Sequence, residues 1–220
     1  QHAKSLGMQR VAFLRSDSET GQQHLDNVRL LSQPLGLEVV ADLAFKSDID
    51  DAGIDALVKQ LGTSRAQVVF NHGGIGIYEK LIRKAESRNL SLQFYGVNSG
   101  STQLAGQLGE LGHGMIFAQV MPSPWERKSA LTRAYQDAFK AHKPGKALSY
   151  GSLEGYMTAR ALVEALQRAG PNPTRASFVA GLKNADLQIE GQKVSYRDGA
   201  HTGLSLVDLA IVTRQGQFRH

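Results

Sequence analysis

Short apolar runs alternate with amphipathic stretches over the first 120 residues of the chain. The apolar runs stop at polar or glycine-rich loops, and they predict strands at residues 9–14, 37–45, 67–70, 93–97 and 114–120. The stretches between them repeat apolar residues at helical spacing and predict helices near residues 21–33, 50–61, 77–85 and 102–111. Five repeats of strand and helix predict an α/β fold with a parallel sheet covered on both faces.

The same periodicity assigns inner faces to these helices. In the second helix of the chain, we expect Leu25, Val28, Leu31 and Leu35 to face the core. Residues 1–7 read as the tail of a helix whose inner edge is His2, Ala3 and Leu6, followed by a glycine cap at position 7. Glycine at position 62 is expected to end the third helix.

The pattern changes after Pro122, because residues 122–184 contain only helical periodicity. Helices are predicted at residues 125–142 and 152–169, and a third follows the N-cap Thr174 with Phe178, Val179 and Leu182 inward. Strands return at residues 192–196, 206–213 and 217–218. Three apolar stripes left in water would form a patch larger than monomers usually expose. They therefore pack on the first sheet, on each other, or on a sheet from other sequence or another chain.

Polar residues collect where the predicted strands end. Asn71, His72 and Gly73 follow one strand, and Asn98 and Ser99 follow the next. Parallel strands joined by a right-handed crossover end at one edge of the sheet, which is where ligands bind in open α/β sheets.

A third polar loop is predicted at the same edge, and it carries Ser18, Glu19 and Thr20. The glycine-rich run at 73–76 could bind a phosphate through backbone N–H groups, but it lacks the spacing of a dinucleotide loop or a P-loop. His72 has a plain alternative as a solvated loop histidine with no role in binding.

Composition narrows the function classes. The chain has 220 residues, no cysteine and a net charge of +5 that is scattered rather than clustered, so we expect no disulfide, no thiolate metal site and no nucleic-acid surface. The acidic run at 46–52 lacks the glycine and terminal glutamate of a calcium loop. No spacing typical of a catalytic triad or a zinc protease occurs. We therefore expect neither an enzyme nor a bound metal or cofactor.

Four segments carry a resemblance to a known family. They are KSLGMQRVAFLRSDSETG, the loops after VVF and FYGV, SLEGYMTARALVEALQRAGPNPTR, and the ending SYRDGAHTGLSLVDLAIVTRQGQF. Together they resemble the solute-binding proteins of ABC importers in the branched-chain amino acid class, which have the type I periplasmic binding fold. Members of that family begin with a further segment on the order of a hundred residues, the size of a domain core.

The resemblance implies an organisation in two lobes. Residues 1–120 and about 188–220 would form the second lobe, a three-layer parallel-sheet unit. Residues 123–187 would be a helical segment of the first lobe, whose sheet is mostly missing. The chain would then be a fragment, in which a dimer or swapped assembly could cover the exposed first-lobe helices.

The resemblance also implies a function: an extracytoplasmic solute receptor, periplasmic or lipid-anchored, that closes around a small-molecule ligand by hinge motion and delivers it to a membrane permease. The alternatives are a ligand-sensing receptor module of the same fold and, from another class, a doubly wound α/β enzyme. Fold alone does not separate these.

The ligand is where this sequence departs from the family pattern. Amino-acid-binding members carry an acidic side chain at the position of Asn98 and aromatic residues at the positions of Thr20 and the Gly74–Ile75 pair. A buried ammonium group without an anionic partner is costly. A carboxylate, an aromatic acid or an amide therefore fits better than a free amino acid. The implied site consists of Ser18, Glu19, Thr20, Asn71, His72, Gly73, Asn98 and Ser99, with Tyr150 either bordering the cleft or packing in the core.

Overall fold

The structure is a computed structural model that describes residues 1–184 and 186–220. The chain divides into two compact units. The first contains Gln1–Ala118 with Leu209–Arg219, and the second contains Gln119–Asp208 with the residue at position 220.

A mostly parallel sheet of seven strands forms the centre of the first unit. Its strands are β1 (Arg10–Ser16), β2 (Glu38–Phe45), β3 (Val68–His72), β4 (Gln93–Val97), β5 (Ile116–Gln119), β8 (Asp208–Val212) and β9 (Phe218–Arg219). They lie in the order β2-β1-β3-β4-β5-β8-β9, and β9 runs antiparallel to β8. The first five strands pair in parallel, as the alternating pattern predicts.

Helices cover both faces of this sheet. They are α1 (His2–Ser5), α2 (Glu19–Ser32), α3 (Asp51–Ser64), α4 (Ile75–Ser87) and α5 (Ser101–Leu108), with short 3-10 turns at Gln33–Leu35 and Gly109–Gly112. Two of them begin at a polar side chain that accepts a backbone hydrogen bond: Ser18 caps α2 and Asp50 caps α3. Such caps satisfy N–H groups that have no partner within the helix.

The main core lies on the face covered by α3, α4 and α5. Leu14 and Val69 from the sheet pack there with Ile54 and Leu81 from the helices, all of them fully buried. Tyr78 is also fully buried, and its hydroxyl donates to the carbonyl oxygen of Tyr95 at 2.8 Å. A smaller cluster on the opposite face contains Ala3, Val11, Leu37, Val68, Tyr95 and Ile116.

The second unit consists of helices and one small hairpin. Its elements are α6 (Ala130–His142), α7 (Tyr150–Ala169), α8 (Arg175–Lys183), β6 (Leu187–Ile189) and β7 (Gln192–Val194). Each helix begins with a capping box, formed by Ser129, Ser149 and Thr174 respectively. Thr174 is the N-cap that the sequence predicts. Residue 185, which falls within the predicted helical segment 123–187, lies outside the described residues.

Several predicted boundaries are wrong, and most errors come from capping. The helix predicted from residue 125 begins at Ala130, because Ser129 supplies the cap and residues 122–129 form no helix. Helix α3 passes Gly62 and ends where Arg65 adopts a left-handed conformation, with φ of 52°. The sequence predicts β7 of the small hairpin but not β6. Its turn places Glu190 and Gly191 at positive φ, which suits a two-residue hairpin.

Three residues predicted to face the core are exposed instead. Leu6 is 51%, Leu31 67% and Val179 38% exposed. Helix α2 is anchored on the sheet through Gly21 and Leu25, which leaves Leu31 outside the packed stripe. Helix α8 has no fully buried residue, so its apolar side is only partly covered.

The boundary between the compact units also differs in position from the expected lobe boundary. Residues 186–208 group with the helices rather than with the sheet, because β6 packs against α7. The assignment of each unit to a lobe of the family fold stays a prediction. In the described part of the chain, no helix is both long enough and apolar enough to cross a bilayer.

Candidate ligand-binding site

The carboxyl ends of β1, β3 and β4 lie side by side in the sheet. Strand β3 is paired with β1, where Leu14 is opposite Asn71 and Arg15 is opposite His72. Its other neighbour is β4, with Phe70 opposite Tyr95. The three loops that the sequence places at one edge therefore do meet there. The part that each side chain plays toward a ligand stays a prediction.

The loop after β1 leads directly into α2. The hydroxyl of Ser18 accepts from the backbone N–H of Gly21 at 3.1 Å and lies 2.9 Å from the hydroxyl of Ser16. Glycine is required at position 21, since a Cβ there would lie 2.0 Å from the carbonyl oxygen of Ser16. Ser18 thus has a structural role, while Glu19 and Thr20 are exposed on the first turn of the helix.

The two residues that end β3 face in opposite directions. Asn71 is 7% exposed, and its side-chain oxygen accepts from the N–H of Gly73 at 2.7 Å. This closes a turn over the ring of Phe45, which a Cβ at position 73 would approach to 2.6 Å. The Asn71 amide therefore shapes the loop. The predicted loop residues Asn71 and His72 both belong to the strand itself.

His72 contacts α2. Its ring stacks on that of His24, with the ring centroids 3.5 Å apart. His72 stays partly exposed, but the partial burial of its ring lowers its pKa below the usual value, and the neighbouring His24 lowers this pKa further. This pair of histidines has no counterpart in the sequence prediction, because the two residues are 48 positions apart.

Helices α4 and α5 begin at the same edge without a side-chain cap. Their N-caps are Gly74 and Gly100, and neither helix has an acidic residue in its first turn. The two helix starts are in contact, since a Cβ on Gly100 would lie 2.7 Å from the side chain of Ile75. Asn98 is half-buried and Ser99 is exposed in the loop between β4 and α5. The partial positive charge of two helix N-termini is therefore directed at this part of the edge.

Tyr150 lies in the second unit, at the start of α7. It is 2% exposed, and its hydroxyl is 2.6 Å from Nε2 of His220. The other ring nitrogen of His220 is 2.8 Å from a carboxylate oxygen of Asp208. Trp125 packs edge-on against the Tyr150 ring. Burial raises the pKa of Tyr150, and the nearby charges of Asp208 and Glu126 raise it further, so the hydroxyl keeps its proton.

The structure also has an apolar groove on the α2 side of the sheet, which the sequence does not predict. It has a volume of about 320 Å³, a floor of Phe13, Phe70 and Tyr95, and a wall formed by His24 and Val28 of α2. The only signal in the sequence is the alternation that puts large aromatic residues on one face of β1, β3 and β4.

The sequence matches the family described as "Periplasmic binding protein" over residues 1–217. The chain therefore belongs to the periplasmic binding protein family, and its first unit has the sheet and helices of the type I binding fold, as the resemblance predicts. No match was found among curated protein sequences.

Solved structures agree in fold. One is an extracellular ligand-binding receptor from Verminephrobacter eiseniae, with 24% identity and a TM-score of 0.82 over 100% of this chain and 63% of that chain. A substrate-binding periplasmic protein from Ralstonia solanacearum gives 23% identity and a TM-score of 0.87 over 99% and 62% of the two chains. A "possible leucine/isoleucine/valine-binding protein" from Rhodopirellula baltica gives 23% identity and a TM-score of 0.84 over 99% and 61%. This chain thus spans less than two thirds of the length of each of these structures.

Proposed function

We propose that the chain is part of an extracytoplasmic solute-binding component of an ABC importer. Its ligand is a small neutral or anionic organic solute, which contacts the carboxyl edge of the first unit's sheet. The observation that carries this proposal is the meeting of three polar loops at one edge of the sheet, in a chain that belongs to a solute-binding family. That edge is where open α/β sheets bind ligands.

The chemistry of the edge supports a solute without a free ammonium group. The side chain at position 98 is an amide rather than a carboxylate, and α4 and α5 direct uncapped, non-acidic N-termini toward the same place. These groups favour negative charge. Glu19 is the acidic side chain among the proposed ligand residues. It follows β1, whereas Asn98 follows β4, and β3 lies between these two strands. The R. baltica protein, described as a possible binder of leucine-type amino acids, represents the competing ligand class.

The mechanism proposed for the whole protein is hinge closure. The first unit would be the second lobe of the binding fold, and α6, α7 and α8 would pack on the sheet of the first lobe. A ligand drives closure only by the difference between its affinities for the closed and open states. No covalent step is involved, so the proposal includes no enzymatic activity.

A thermal-shift screen of the two-lobed, full-length protein tests the ligand class. Aromatic and aliphatic carboxylates should raise the melting temperature, whereas leucine and its relatives should not. Replacing Asn98 with Glu should abolish the response to carboxylates, because the new carboxylate would repel them. The matched control is Gln107→Glu, which adds the same charge on the exposed side of α5. Stabilisation by leucine but not by carboxylates would contradict the proposed ligand class.

A ligand-sensing module is the second candidate, since the similar V. eiseniae protein is described as a receptor. Both functions need the same binding edge. They differ in the partner, which is a permease for transport and a signalling protein for sensing. Co-purification of the full-length protein with its membrane partner separates the two.

A further inference from the structure

A second groove lies entirely within the helical unit, between α6 and the segment on either side of it. It has a volume of about 390 Å³. Its apolar part consists of Phe139, Pro144 and Leu148. Its polar lining residues are Lys140, Lys143, Lys146, Arg127, Gln136 and Asp137. We call it the lysine groove. The three lysines are exposed, so their charges are available at the surface.

A tight turn brings the three lysines together. The backbone N–H of Lys146 donates to the carbonyl oxygen of Lys143 at 3.2 Å. Pro144 and Gly145 occupy the central positions, and Gly145 has φ of +76°, as in a type II turn. Such a turn holds its first and last Cα atoms within about 7 Å of each other. Lys140 precedes Lys143 by three residues at the end of α6, so all three ammonium groups border one short groove.

Hydrogen bonds hold Arg127 and Gln136, which also line the groove. Arg127 donates to both carboxylate oxygens of Asp137, at 2.9 and 3.3 Å. The side-chain amide of Gln136 donates to the carbonyl oxygen of Pro124 at 2.8 Å. The charge of Arg127 is therefore balanced within the protein. Among the residues that the structure describes, none of the three lysines forms an ion pair.

Three lysines without an ion pair surround an apolar floor, and they define the chemistry of a partner. Lys140 also attracts the Asp137 carboxylate, whereas no carboxylate is paired with Lys143 or Lys146 among the described residues. Each lysine is a compact point charge that suits a carboxylate, and Phe139, Pro144 and Leu148 offer a place for one apolar side chain. A nucleic acid would need aromatic surfaces for successive bases, and this groove contains a single aromatic ring. We propose that the lysine groove binds an acidic segment of a partner protein, which places one apolar side chain between carboxylates that face the three lysines.

This proposal does not depend on the identity of the transported solute or on the binding edge of the first unit. It predicts that a fluorescein-labelled peptide of Asp and Glu residues around a central Leu binds the full chain, measured by fluorescence anisotropy. Binding should weaken as salt rises, since exposed charges are screened over about 10 Å at 0.1 M. Replacing the central Leu of the peptide with Ser should also weaken binding, because the apolar contact with the groove is lost.

Two variants with the same change in net charge separate the groove from general electrostatics. Lys143→Glu should weaken peptide binding about fivefold or more, because it removes one attraction and adds a repulsion. Lys59→Glu, at an exposed position on α3 in the other unit, should leave binding within about twofold of the parent protein. Gly145→Ala keeps all charges but strains the turn at positive φ, so it should also weaken binding. Circular dichroism and melting temperatures confirm that each variant is folded.

Three results would overturn the proposal. The first is equal weakening by Lys143→Glu and Lys59→Glu, which would mean that only net charge matters. The second is displacement of the peptide by inorganic phosphate at a concentration matched in charge, which would indicate a site for small anions. The third is Lys143-dependent binding to phosphatidylglycerol vesicles without peptide binding, which would assign the groove to a membrane surface.

Discussion

Adjacent residues at the end of β3 have different functions because a strand directs successive side chains to opposite faces. Asn71 faces the main core and forms the turn with Gly73. His72 faces α2 and stacks on His24. Proximity to the proposed binding edge therefore does not by itself predict contact with a ligand. Thr20 and Ser99 are exposed at this edge, and their contact with a solute stays a prediction.

The stacked histidines should make stability depend on pH. The folded-state pKa of His72 lies below that of the unfolded chain, which is about 6.5. Between these two pKa values, His72 is protonated more fully in the unfolded chain than in the native state. The free energy of unfolding therefore falls as pH drops from about 6.5 toward the folded-state pKa. Replacing His72 with Gln should flatten this dependence, measured as urea midpoints between pH 5 and 7.5.

The control for this experiment is His113→Gln, which removes an exposed histidine of the same unit. It should leave the slope of the urea midpoint against pH close to that of the parent protein. Equal slopes for the parent and the His72→Gln protein would show that the contact between the two rings does not control the acid response.

At the scale of elements, the position of α2 depends on one close contact between its first turn and the end of β1. Position 21 touches the end of β1 so closely that only glycine fits, and this contact sets where the exposed first turn with Glu19 and Thr20 lies. The far end of the same helix is less well packed, with Leu30 and Leu31 more than 65% exposed. The helix is thus fixed at the end next to the proposed binding edge.

Gly21→Ala should lower the free energy of unfolding by about 2 kcal/mol or more, because the new methyl group meets the Ser16 carbonyl oxygen and either the helix or the strand must move. Gly106→Ala is the matched control. It lies exposed within α5 with open space around it, so it should raise the same free energy by about 1 kcal/mol through helix propensity. Chemical denaturation of both variants measures the two effects, and a neutral Gly21→Ala would refute the close contact.

For the molecule as a whole, the notable feature of α7 is an exposed apolar surface. Leu153, Met157 and Ala161 bury one side of the helix, whereas Leu162, Val163 and Leu166 are 40% to 49% exposed on another. The second unit therefore has apolar surface beyond what its own helices cover, as the sequence predicts for helices without a sheet. In the proposed two-lobed protein, the sheet of the first lobe would cover it.

We expect this chain to bind the dye ANS, and the double variant Leu162→Gln/Leu166→Gln to bind much less of it, since the variant breaks up a contiguous apolar patch. Leu206→Gln is the control, because Leu206 is 41% exposed but lies outside the helices. Light scattering on the same samples tests whether copies of the chain associate through this surface. A monomer that shows no ANS signal would contradict an exposed stripe.

The sequence by itself determined the parallel strands of the first unit and the cap at Thr174, because both depend on local chemistry. Apolar runs that stop at polar residues predict where β1, β3 and β4 lie, although β1 and β3 continue through residues predicted as loop. Thr before a helical pattern predicts the cap at Thr174. The edge of the sheet then follows from chain connectivity alone. For the same reason the polar loops of the candidate site were predictable as a group.

Only the tertiary structure decided contacts between distant positions. The stacking of His24 on His72 and the hydrogen bond between Tyr150 and His220 join residues whose separation in sequence has no regular period. Packing also overrode local preference at Arg65, which takes a left-handed conformation after a glycine that should have ended the helix. Local patterns predict which elements form, whereas the free energy of packing selects which side chains meet and shifts where some elements end.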